Sequence, residues 1–594
     1  MTIATPRTMD SRLRLLPWGI AAAGLAFHVW AMWGGFFHMD DFFYLTDAQS
    51  GLWSYVSQIY NGHLMPLGFL VVWVSQAVAP MSWPLAVLVC TVLWAAMLSG
   101  AIATMQRAFG SVPWTTLVVA LLAFAPLLTT VSVWYASALQ VLPWGATLVW
   151  MMYFAIRDAQ QPRLLWALSG VGVYVIGLLF WQKAILVLPA VLWIAWRYWP
   201  GTGRWGLGGM GQRWVLPGLS GLVTVGYVAM YLRMQSEDIL RSNPSVGQLL
   251  ESIRISLGEV WLPGYFGAPW TGFGEGLTPG SPSSWWAIAL VWQVVAAIVV
   301  VSVLRWRSAW NAWLILAAYA AITVVLFAFG RINEFGLALA YDPRYVEDLF
   351  IVGTLVLPFA FLRPRGSTLP TPRHMPWLVT GERRPLLLLG AIVLANLLVL
   401  PSIAVGSSWH DSEAKRYVET ARAALLADLD TPVLDRKVPA GVMAPLFLER
   451  ANASYVLGGL RLPVRWDSPG ARVLALGDDG QALSPVIAAS STSLPGTDGA
   501  CGWRVFERPA RIPMDSDLFD WVWVGTMNYL ASGAGEARVK LGATTVSLPI
   551  EEGPQEVTFV LVGGGDSVEI FPPEGVGLCI ARIVVGQVDY GQMQ

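Results

Sequence analysis

Charge is scarce in this sequence. Only 13% of its 594 residues are charged, and the formal net charge is −1. A soluble protein normally carries about 25% charged residues, so water is not the only solvent of this surface. A net charge near zero also gives no reason to expect a nucleic-acid partner or a polybasic membrane patch. Apolar residues make up 55% of the chain, which predicts a protein embedded in a lipid bilayer.

Cysteine is the other scarce residue, with three in the whole chain. Cys90 lies in an apolar run, and we expect it to pack as a small hydrophobic residue. Cys501 and Cys579 lie in the polar C-terminal region. They are either a disulfide, which would require an oxidising compartment, or two unrelated buried thiols, and the sequence leaves both readings open.

Long apolar runs fill the chain up to about residue 404, and charged residues become ordinary in number after it. Arg7, Arg12 and Arg14 precede the first run, which has no small-residue cleavage site after it. We therefore interpret it as a retained span and not as a signal peptide. The candidate segments, judged by length and lack of charge, are 16–37, 64–80, 83–104, 113–133, 139–156, 164–181, 184–199, 215–232, 284–304, 309–330, 347–362 and 385–404.

The positive-inside rule places the N-terminus and the arginine-bearing loops in the cytoplasm. Arg107 obeys this rule if the short, proline-bounded segment 64–80 dips into the membrane or lies along its surface. Otherwise Arg107 is an exception to the rule. The first option predicts about eleven crossings of a bacterial plasma membrane, with the C-terminal region outside the cytoplasm.

The region after residue 404 is predicted to be water-soluble. We expect a helix over His410–Leu426, a small α/β lobe within 405–490, and a β-sandwich-like domain over 491–594, after a membrane domain over 1–404. Turn residues such as those at 563–566 separate short β-rich runs. These runs are Ala471–Leu476, Trp521–Val524, Ala537–Leu541, Val557–Val562, Ser567–Phe571 and Cys579–Val585.

Asp40 and Asp41 are the most informative residues, because they follow the first apolar span directly. Adjacent carboxylates at a membrane boundary raise one another's pKa unless a cation or hydrogen bonds compensate. A helix end that only met the headgroups would favour Lys, Arg or Trp. The pair is therefore suited to supply one metal ligand and one general base.

The residues after the acidic pair return the chain to the membrane. The segment from Leu52 to Tyr60 alternates aromatic and polar residues with helical spacing, which predicts an amphipathic helix on the membrane surface. His63 precedes Pro66 and the next apolar run, at the depth expected for the Asp pair. It is a candidate phosphate or metal ligand, and the alternative is a structural interfacial histidine.

This arrangement resembles the GT-C superfamily of integral-membrane glycosyltransferases, which use polyprenyl-phosphate-linked sugars. The shared features are a first span that ends in an acidic pair, an amphipathic helix in the first external loop, and about eleven spans. The segment 181–183 looks like the Lys-bearing break of some members, and Arg344-Tyr345 is similar to their late external Arg-Tyr element. The β-rich tail resembles that of actinobacterial arabinofuranosyl- and mannosyltransferases. Tyr135 departs from the pattern, because some relatives carry an acidic residue there.

The resemblance implies an inverting glycosyltransferase that moves a sugar, arabinofuranose or mannose, from a polyprenyl-phosphate donor to a cell-envelope glycan or glycolipid. Asp40 would be the base that removes the proton of the acceptor hydroxyl. Asp41, with His63, would bind a divalent metal (Mg, Mn or Ca) that holds the donor phosphate.

Two cations and a tyrosine complete the implied donor site. Lys183 and Arg344 would neutralise the leaving phosphate, Arg344 through a bidentate contact, with Tyr345 beside it. Lys183 has an alternative role as an interfacial residue that extends its ammonium towards the headgroups. Arg344 has an alternative role in a structural ion-pair cluster with Asp342, Glu347 or Asp348.

Other residues have weaker support from the sequence. Glu334, Glu347 and Asp348 are spare candidates for the base. The aromatic loop 233–283 is a candidate cover for an acceptor groove, through Trp261, Tyr265 and Trp270. The tail aromatics either stack on sugars or pack in the core, and they are Trp503, Trp521, Trp523 and Tyr529.

Two rival functions remain. A lipid-linked polysaccharide polymerase or ligase would have an arginine-rich central external loop, and Arg233, Arg241 and Arg254 lie in the loop 233–283. A non-catalytic membrane scaffold that binds glycans would keep the tail aromatics and tolerate loss of Asp40. A transporter is disfavoured, because the spans are nearly free of charge and show no internal repeat.

Overall fold

The computed structural model describes residues 11–199, 214–235, 243–268, 284–373 and 384–589. The chain divides into two compact units. The first contains residues 1–37 and 47–412, and the second contains residues 38–46 and 413–594. The chain therefore leaves the first unit directly after the first long helix, and it returns nine residues later.

In the described residues of the first unit, the secondary structure is helical apart from one short hairpin. One helix, α2, contributes most of its residues to the second unit. The helices up to residue 412 are α1 (Ser11–Trp33), α2 (Asp40–Asp47), α3 (Leu52–Val56), α4 (Pro66–Val78), α5 (Trp83–Phe109), α6 (Pro113–Phe124), α7 (Pro126–Val133), α8 (Tyr135–Gln160), α9 (Leu164–Phe180), α10 (Val187–Tyr198), α11 (Val215–Met234), α12 (Val246–Ile253), α13 (Leu262–Gly264), α14 (Trp285–Arg305), α15 (Trp310–Phe335), α16 (Glu347–Phe361) and α17 (Arg384–Trp409).

Seven stretches of helix in the described residues are long and apolar enough to cross a membrane, or eight if the bent pair α6–α7 is one span. This confirms the predicted multi-pass helical membrane protein. The count of about eleven crossings and the sides of the termini stay predictions. The seven stretches are Arg14–Trp33, Trp83–Phe109, Tyr135–Gln160, Val215–Met234, Trp285–Arg305, Arg307–Ile332 and Val393–Ala427.

Three breaks interrupt the helices of the first unit near residues of the candidate site. The apolar segment 113–133 was expected to be one span, but it bends by 47° between α6 and α7. Pro126 begins α7, where proline is favoured because its missing N–H needs no partner. Trp134 is extended between α7 and α8. Trp181 is likewise extended after α9, and a 3₁₀ segment, Gln182–Leu186, follows it.

The predicted amphipathic helix over 52–60 is wrong in its second half. Helix α3 ends at Val56, and strand β1 (Ile59–Tyr60) pairs with strand β2 (His63–Leu64) in a hairpin. Asn61 and Gly62 both have positive φ, 48° and 77°. An Asn-Gly pair with this conformation is the preferred two-residue hairpin turn. His63 therefore lies on a short strand.

The second unit contains a small mixed sheet, helices α18 (Glu413–Ala427) and α19 (Ala453–Val456), and a large sheet. In the small sheet, β3 (Val433–Leu434) is parallel to β4 (Leu474–Leu476), which is antiparallel to β5 (Ala482–Leu483). Apolar residues near these strands, such as Leu434 and Ala475, pack with Val524 and Val588 of the large sheet. The three-part division of the chain by residue number stays a prediction.

The large sheet has seven strands in the order β10-β9-β11-β8-β12-β6, with β7 also paired to β12. Its neighbouring strands are antiparallel. This confirms a C-terminal β-sheet domain, although the described strands form one hydrogen-bonded sheet. The strands are β6 (Ile487–Thr492), β7 (Trp503–Val505), β8 (Ala510–Ala531), β9 (Gly535–Leu541), β10 (Thr544–Ile550), β11 (Gly553–Phe571) and β12 (Leu578–Val588).

The glycine-rich segment 563–566 is not the predicted turn. Strand β11 runs through it, and its pairing with β8 shifts register between Gly563 and Gly565 and again before Ser567. Glycine within a strand is typical of such a β-bulge. Two runs that were expected to be separate strands are therefore parts of one strand of 19 residues.

Cys501 and Cys579 form a disulfide, with their Cα atoms 4.8 Å apart. It joins the segment before β7 to β12. This decides between the two readings that the sequence left open. Cys90 is a buried free thiol, as expected.

The aromatic residues of the tail divide between core and surface. Trp523 and Tyr529 are buried in the core of the large sheet, and Trp503 packs against that core. Trp521 is 56% exposed. Most of these residues therefore serve packing, as the core interpretation expected.

Candidate functional site

The acidic pair begins helix α2, in the second unit. Asp41 is completely buried, and its Oδ2 accepts a hydrogen bond from the backbone N–H of His38 at 2.9 Å. The backbone N–H of Asp41 donates in turn to the carbonyl of His38 at 3.0 Å. Asp40 is half-buried. Carboxylates in the first turn of a helix are favoured by the exposed N–H groups there.

Helix α2 packs against the segment 445–456 of the same unit. The Phe43 ring lies 5.0 Å from the Phe447 ring and 5.8 Å from the Tyr455 ring, measured between centroids. The hydroxyl of Thr46 donates to the backbone carbonyl of Tyr455 at 2.8 Å. The acidic helix is thus held by residues about four hundred positions away in the sequence.

In the first unit, the structure joins His63 to the break after α9. The side-chain Nε2 of Gln182 lies 2.8 Å from Nδ1 of His63 and donates to the carbonyl of Gly62 at 2.9 Å. The hydroxyl of Tyr231 donates to the same carbonyl at 2.7 Å. These bonds hold the hairpin against Gln182, the residue before Lys183.

Lys183 forms an ion pair with Asp348, in which Nζ lies 2.7 Å from Oδ2. The Lys183 side chain is 15% exposed and that of Asp348 is 1% exposed. The hydroxyl of Tyr319 donates to the same Oδ2 at 2.6 Å. The ammonium is therefore fixed by a buried carboxylate and does not extend freely towards headgroups, as the snorkelling alternative would require.

Glu347, the residue before Asp348, is also completely buried. Its Oε1 accepts a hydrogen bond from the hydroxyl of Thr130 at 2.7 Å. In the described part of the chain, neither Oε2 of Glu347 nor Oδ1 of Asp348 has a hydrogen-bond partner. Buried carboxylate oxygens without donors are costly, and such groups are typical of functional sites.

Arg344 contacts Asp342 through two nitrogens, Nε at 2.9 Å and Nη2 at 2.5 Å from Oδ2. Its guanidinium lies 3.8 Å from the centroid of the Trp134 ring, at the break between α7 and α8. The Tyr345 ring lies 4.7 Å from the Phe327 ring. Arg344 thus makes the ion pair of the structural alternative, and its 28% exposure leaves part of the guanidinium open to solvent.

Three distant parts of the sequence are therefore brought together in the first unit. His63 contacts Gln182, the next residue Lys183 contacts Asp348, and Asp348 follows Arg344 by four positions. Of the four residues predicted to bind the donor phosphate, His63 and Lys183 are joined to this set by contacts, and Arg344 and Tyr345 by their place in the chain just before Asp348. Asp40 and Asp41 belong to the second unit. That they act in one site with the donor residues therefore stays a prediction.

The residues predicted to bind the acceptor pack inside the first unit. Trp261 is buried, and the Tyr265 ring stacks on Phe350 at 4.2 Å. The hydroxyl of Tyr265 donates to the carbonyl of Phe350 at 2.9 Å. Tyr265 is only partly buried, and the part of these two residues in acceptor binding stays a prediction. Trp270 lies outside the described residues.

Two other predictions concerned Glu334 as an alternative base and Arg254 as a residue of the rival polymerase function. The side chain of Glu334 lies outside the described residues. Arg254, one of the arginines expected of a polymerase, forms ion pairs with Glu251 at 2.6 Å and with Glu259. Arg254 begins a π-helical segment, Arg254–Trp261, that continues α12. The central region is thus helical in this part.

A metal site stays a prediction. Among the described residues, no group of three or more His, Cys, Asp or Glu side chains is placed to hold a metal ion. Magnesium is often bound by one or two carboxylates together with substrate phosphates. Asp40 and Asp41, neighbours in the sequence, have carboxylates that fit that ligand chemistry, and the contribution of His63 stays a prediction.

The sequence did not indicate Tyr319 and Thr130, which hold the two buried carboxylates. Each lies within a long apolar run and has no recognisable motif around it. The hairpin that contains His63 could have been predicted from the sequence, because Asn61-Gly62 strongly favours a two-residue hairpin turn.

No family model matches the chain, and no curated protein matches it at a significant level. Two solved structures are similar to it over nearly its whole length. One is the arabinofuranosyltransferase AftD from Mycobacteria, with 11% identity, a TM-score of 0.40, and coverage of 99% of this chain and 59% of that one. The other is the arabinosyltransferase EmbB from Mycobacterium smegmatis, with 11% identity, a TM-score of 0.30, and coverage of 100% and 66%. The chain spans roughly three fifths of the AftD chain. Similarities of this size establish neither fold nor function, so the proposal below depends on the chain's own residues.

Proposed function

We propose that the protein is an inverting glycosyltransferase that transfers a sugar from a polyprenyl-phosphate donor to a glycan or glycolipid of the cell envelope. The observation that carries this proposal is the connected set in the first unit. His63, Lys183 and the segment from Arg344 to Asp348 come from three distant parts of the sequence, and contacts join them. Two cations, a histidine and buried carboxylates in a multi-pass helical region suit a lipid-linked phosphate substrate.

The donor dictates where such a site has to lie. Its polyprenyl tail belongs in the bilayer and its charged phosphate belongs at the boundary with water. Lys183 and Arg344 each lie in a short 3₁₀ segment between apolar helices, and each side chain is partly exposed, 15% and 28%. Both cations would exchange part of their contact with Asp348 and Asp342 for the phosphate oxygens. The guanidinium of Arg344 suits a bidentate contact with phosphate.

The reaction is a displacement at the anomeric carbon. The acceptor hydroxyl oxygen forms a bond to this carbon, and the bond to the phosphate oxygen breaks. Asp40 accepts the hydroxyl proton as general base. The polyprenyl phosphate leaves with the bonding electrons, and its charge is neutralised by Lys183 and Arg344. Attack opposite the leaving group inverts the anomeric configuration.

A divalent metal would supply additional charge to hold the phosphate when bound. Asp41 would supply a carboxylate ligand of the kind that Mg, Mn or Ca prefers, with His63 as the other candidate ligand. The disulfide between Cys501 and Cys579 favours a C-terminal unit in an oxidising compartment outside the cytoplasm. This agrees with the proposed acceptor, a cell-envelope glycan.

The test is transfer by the purified protein in detergent. The protein is incubated with several radiolabelled polyprenyl-phosphate sugars, including arabinofuranose and mannose, and with oligosaccharide acceptors. Label in the acceptor from one donor supports the proposal and names the sugar. If the protein neither transfers a sugar nor binds any of the donors at equilibrium, the proposal is contradicted.

The donor site is tested by the Michaelis constant. Arg344→Lys keeps the charge but loses the planar fork, so we expect the KM for donor to rise roughly tenfold or more, the cost of one charge-assisted hydrogen bond. Arg472→Lys is the matched control, because the pair of Arg472 with Asp428 is 3.7 Å long and exposed. An unchanged donor KM in Arg344→Lys would remove Arg344 from the site.

A further inference from the structure

The acidic pair and the C-terminal region belong to the same compact unit, which contains residues 38–46 and 413–594. We propose that the segment 445–456 of the C-terminal region positions Asp40 and Asp41 for the reaction, through Phe43, Thr46 and Tyr455. This inference rests on the proposed function, because it assigns positioning residues to the same site. It gives the C-terminal region a role in turnover that a separate soluble module would not have.

Helix α2 needs contacts from elsewhere to be stable. It has eight residues, and isolated helices shorter than about 12–15 residues are marginal in water. Met39, just before it, has a positive φ of 44°, which side chains other than glycine adopt at a cost. The conformation that presents Asp40 and Asp41 is therefore maintained by packing.

Phe43 fixes the rotation of the helix. It is 1% exposed and is surrounded by the rings of Phe447 and Tyr455 and by the Arg450 guanidinium, which lies 5.1 Å from its centroid. Edge-on aromatic pairs and cation–π contacts have preferred geometries. Residues three positions apart lie on the same side of a helix, so the packing of Phe43 determines where Asp40 points.

Thr46 fixes the position of the helix along its axis. Its hydroxyl donates to the backbone carbonyl of Tyr455 at 2.8 Å, in the last full turn of α2. A hydrogen bond to a backbone atom depends on the path of the main chain and not on a mobile side chain. The position of α2 is thereby tied to the segment 445–456.

The segment that receives α2 is itself fixed by a carboxylate. Asp435 accepts hydrogen bonds from the backbone N–H of Ser454 at 2.8 Å, from the Ser454 hydroxyl at 2.7 Å and from the Asn452 amide at 3.1 Å. These three donors lie just before Tyr455 in the sequence. Asp435 therefore holds the part of the chain that Thr46 and Phe43 contact.

The first arm of the test measures the helix without relying on activity. Thr46→Val removes the hydroxyl at nearly constant volume, and Thr46→Ser restores it. We expect backbone amides of residues 41–46 to exchange with deuterium about fivefold to tenfold faster in Thr46→Val, the ratio expected for one hydrogen bond. Exchange in strand β8 should stay unchanged, and Thr46→Ser should return residues 41–46 to the wild-type rate.

The second arm measures turnover. Phe43→Leu and Asp435→Asn should lower kcat at least fivefold while the KM for donor stays within twofold, since one hydrogen bond or ring contact is lost and the donor residues are untouched. Phe559→Leu and Asp515→Asn are matched controls, a buried phenylalanine and an aspartate of β8 whose carboxylate accepts a backbone N–H, both in the same unit. The controls should keep the wild-type kcat.

The two arms separate this inference from the proposed function. If the wild type neither transfers a sugar nor binds any of the donors, the proposed function fails, and amide exchange still decides whether the segment 445–456 holds α2. Unchanged exchange at residues 41–46 in Thr46→Val and Phe43→Leu would overturn the inference. Turnover that falls equally in the controls would overturn it as well, because the effect would then come from the stability of the whole unit.

Discussion

The buried ion pair between Lys183 and Asp348 allows a prediction whose magnitude follows from the structure. Lys183→Met removes the ammonium and leaves the Asp348 carboxylate, 1% exposed, with the Tyr319 hydroxyl as its one side-chain donor among the described residues. Removal of one partner of a buried pair costs about 3–5 kcal/mol, because the remaining charge is buried without compensation. We therefore expect Lys183→Met to lower the free energy of unfolding by about that amount.

A second substitution should recover most of this loss. Asp348→Asn removes the stranded charge, and the asparagine oxygen can still accept the Tyr319 hydroxyl. The double variant with Lys183→Met should therefore lose only about 0.5–1.5 kcal/mol, the net contribution of a neutral hydrogen bond. Apparent free energies would be measured by denaturant titration in mixed micelles, followed by tryptophan fluorescence.

An exposed pair provides the control. Lys540 and Glu569 are 3.7 Å apart, with side chains 39% and 36% exposed. Lys540→Met should change stability by less than about 1 kcal/mol, since exposed pairs contribute little. Two results would contradict this argument. Lys183→Met could be no more destabilising than Lys540→Met, or the double variant could be no more stable than Lys183→Met alone. Either result would mean that Lys183 does not compensate the buried charge of Asp348.

Three further predictions concern the C-terminal unit. Reduction of the disulfide, or Cys501→Ser with Cys579→Ser, should lower its melting temperature, since a crosslink between residues 78 apart stabilises by about 4 kcal/mol. The backbone N–H of Thr492 donates to Asp515 and holds its pKa below the ordinary 3.8. This contribution to stability is present above pH 3.8 and is lost as the pH falls below it, as an acid titration of unfolding would show. Gly480→Ala should destabilise by at least about 1–3 kcal/mol in thermal unfolding, because φ is 85° and an added Cβ would lie 2.4 Å from a backbone oxygen of α18.

Each of these three predictions has a control variant that tests its physical cause. Cys90→Ser removes a thiol but no crosslink, so it should not reproduce the loss of the disulfide. Asp515→Asn should flatten the acid limb of the titration, and an unchanged limb would contradict the assignment. At Gly499 an added Cβ meets nothing within 4 Å, so Gly499→Ala should be close to neutral, and equal loss in both glycine variants would refute the steric argument.

The sequence was sufficient for features that depend on local composition. Apolar run length and charge distribution predicted the helical membrane region and the β-rich tail, and both are present. The prediction from local sequence was wrong at residues 563–566, where a run of glycines within a strand was interpreted as a turn. Gly563 and Gly565 instead form bulges, because the flanking residues pair with β8 on both sides of them.

Long-range partners could not be predicted in the same way. Lys183 and Asp348 were both candidate site residues, yet nothing in their local sequence indicated that they bind each other. The contact of Thr46 with Tyr455 spans 409 positions. Such contacts depend on the tertiary fold of each unit. Hydrophobic periodicity and amino-acid composition describe only the local sequence, so they do not predict which distant residues meet.

The most direct measurement compares Asp40→Asn with Asp47→Asn in the transfer assay, using the donor that the wild type accepts. Both aspartates lie in helix α2, so the two variants differ mainly in which end of the helix loses a charge. We predict that Asp40→Asn lowers kcat at least a hundredfold, the contribution typical of a general base, while Asp47→Asn keeps most of the activity. Full activity in Asp40→Asn would contradict the account and would point to Glu347 or Asp348 as the base.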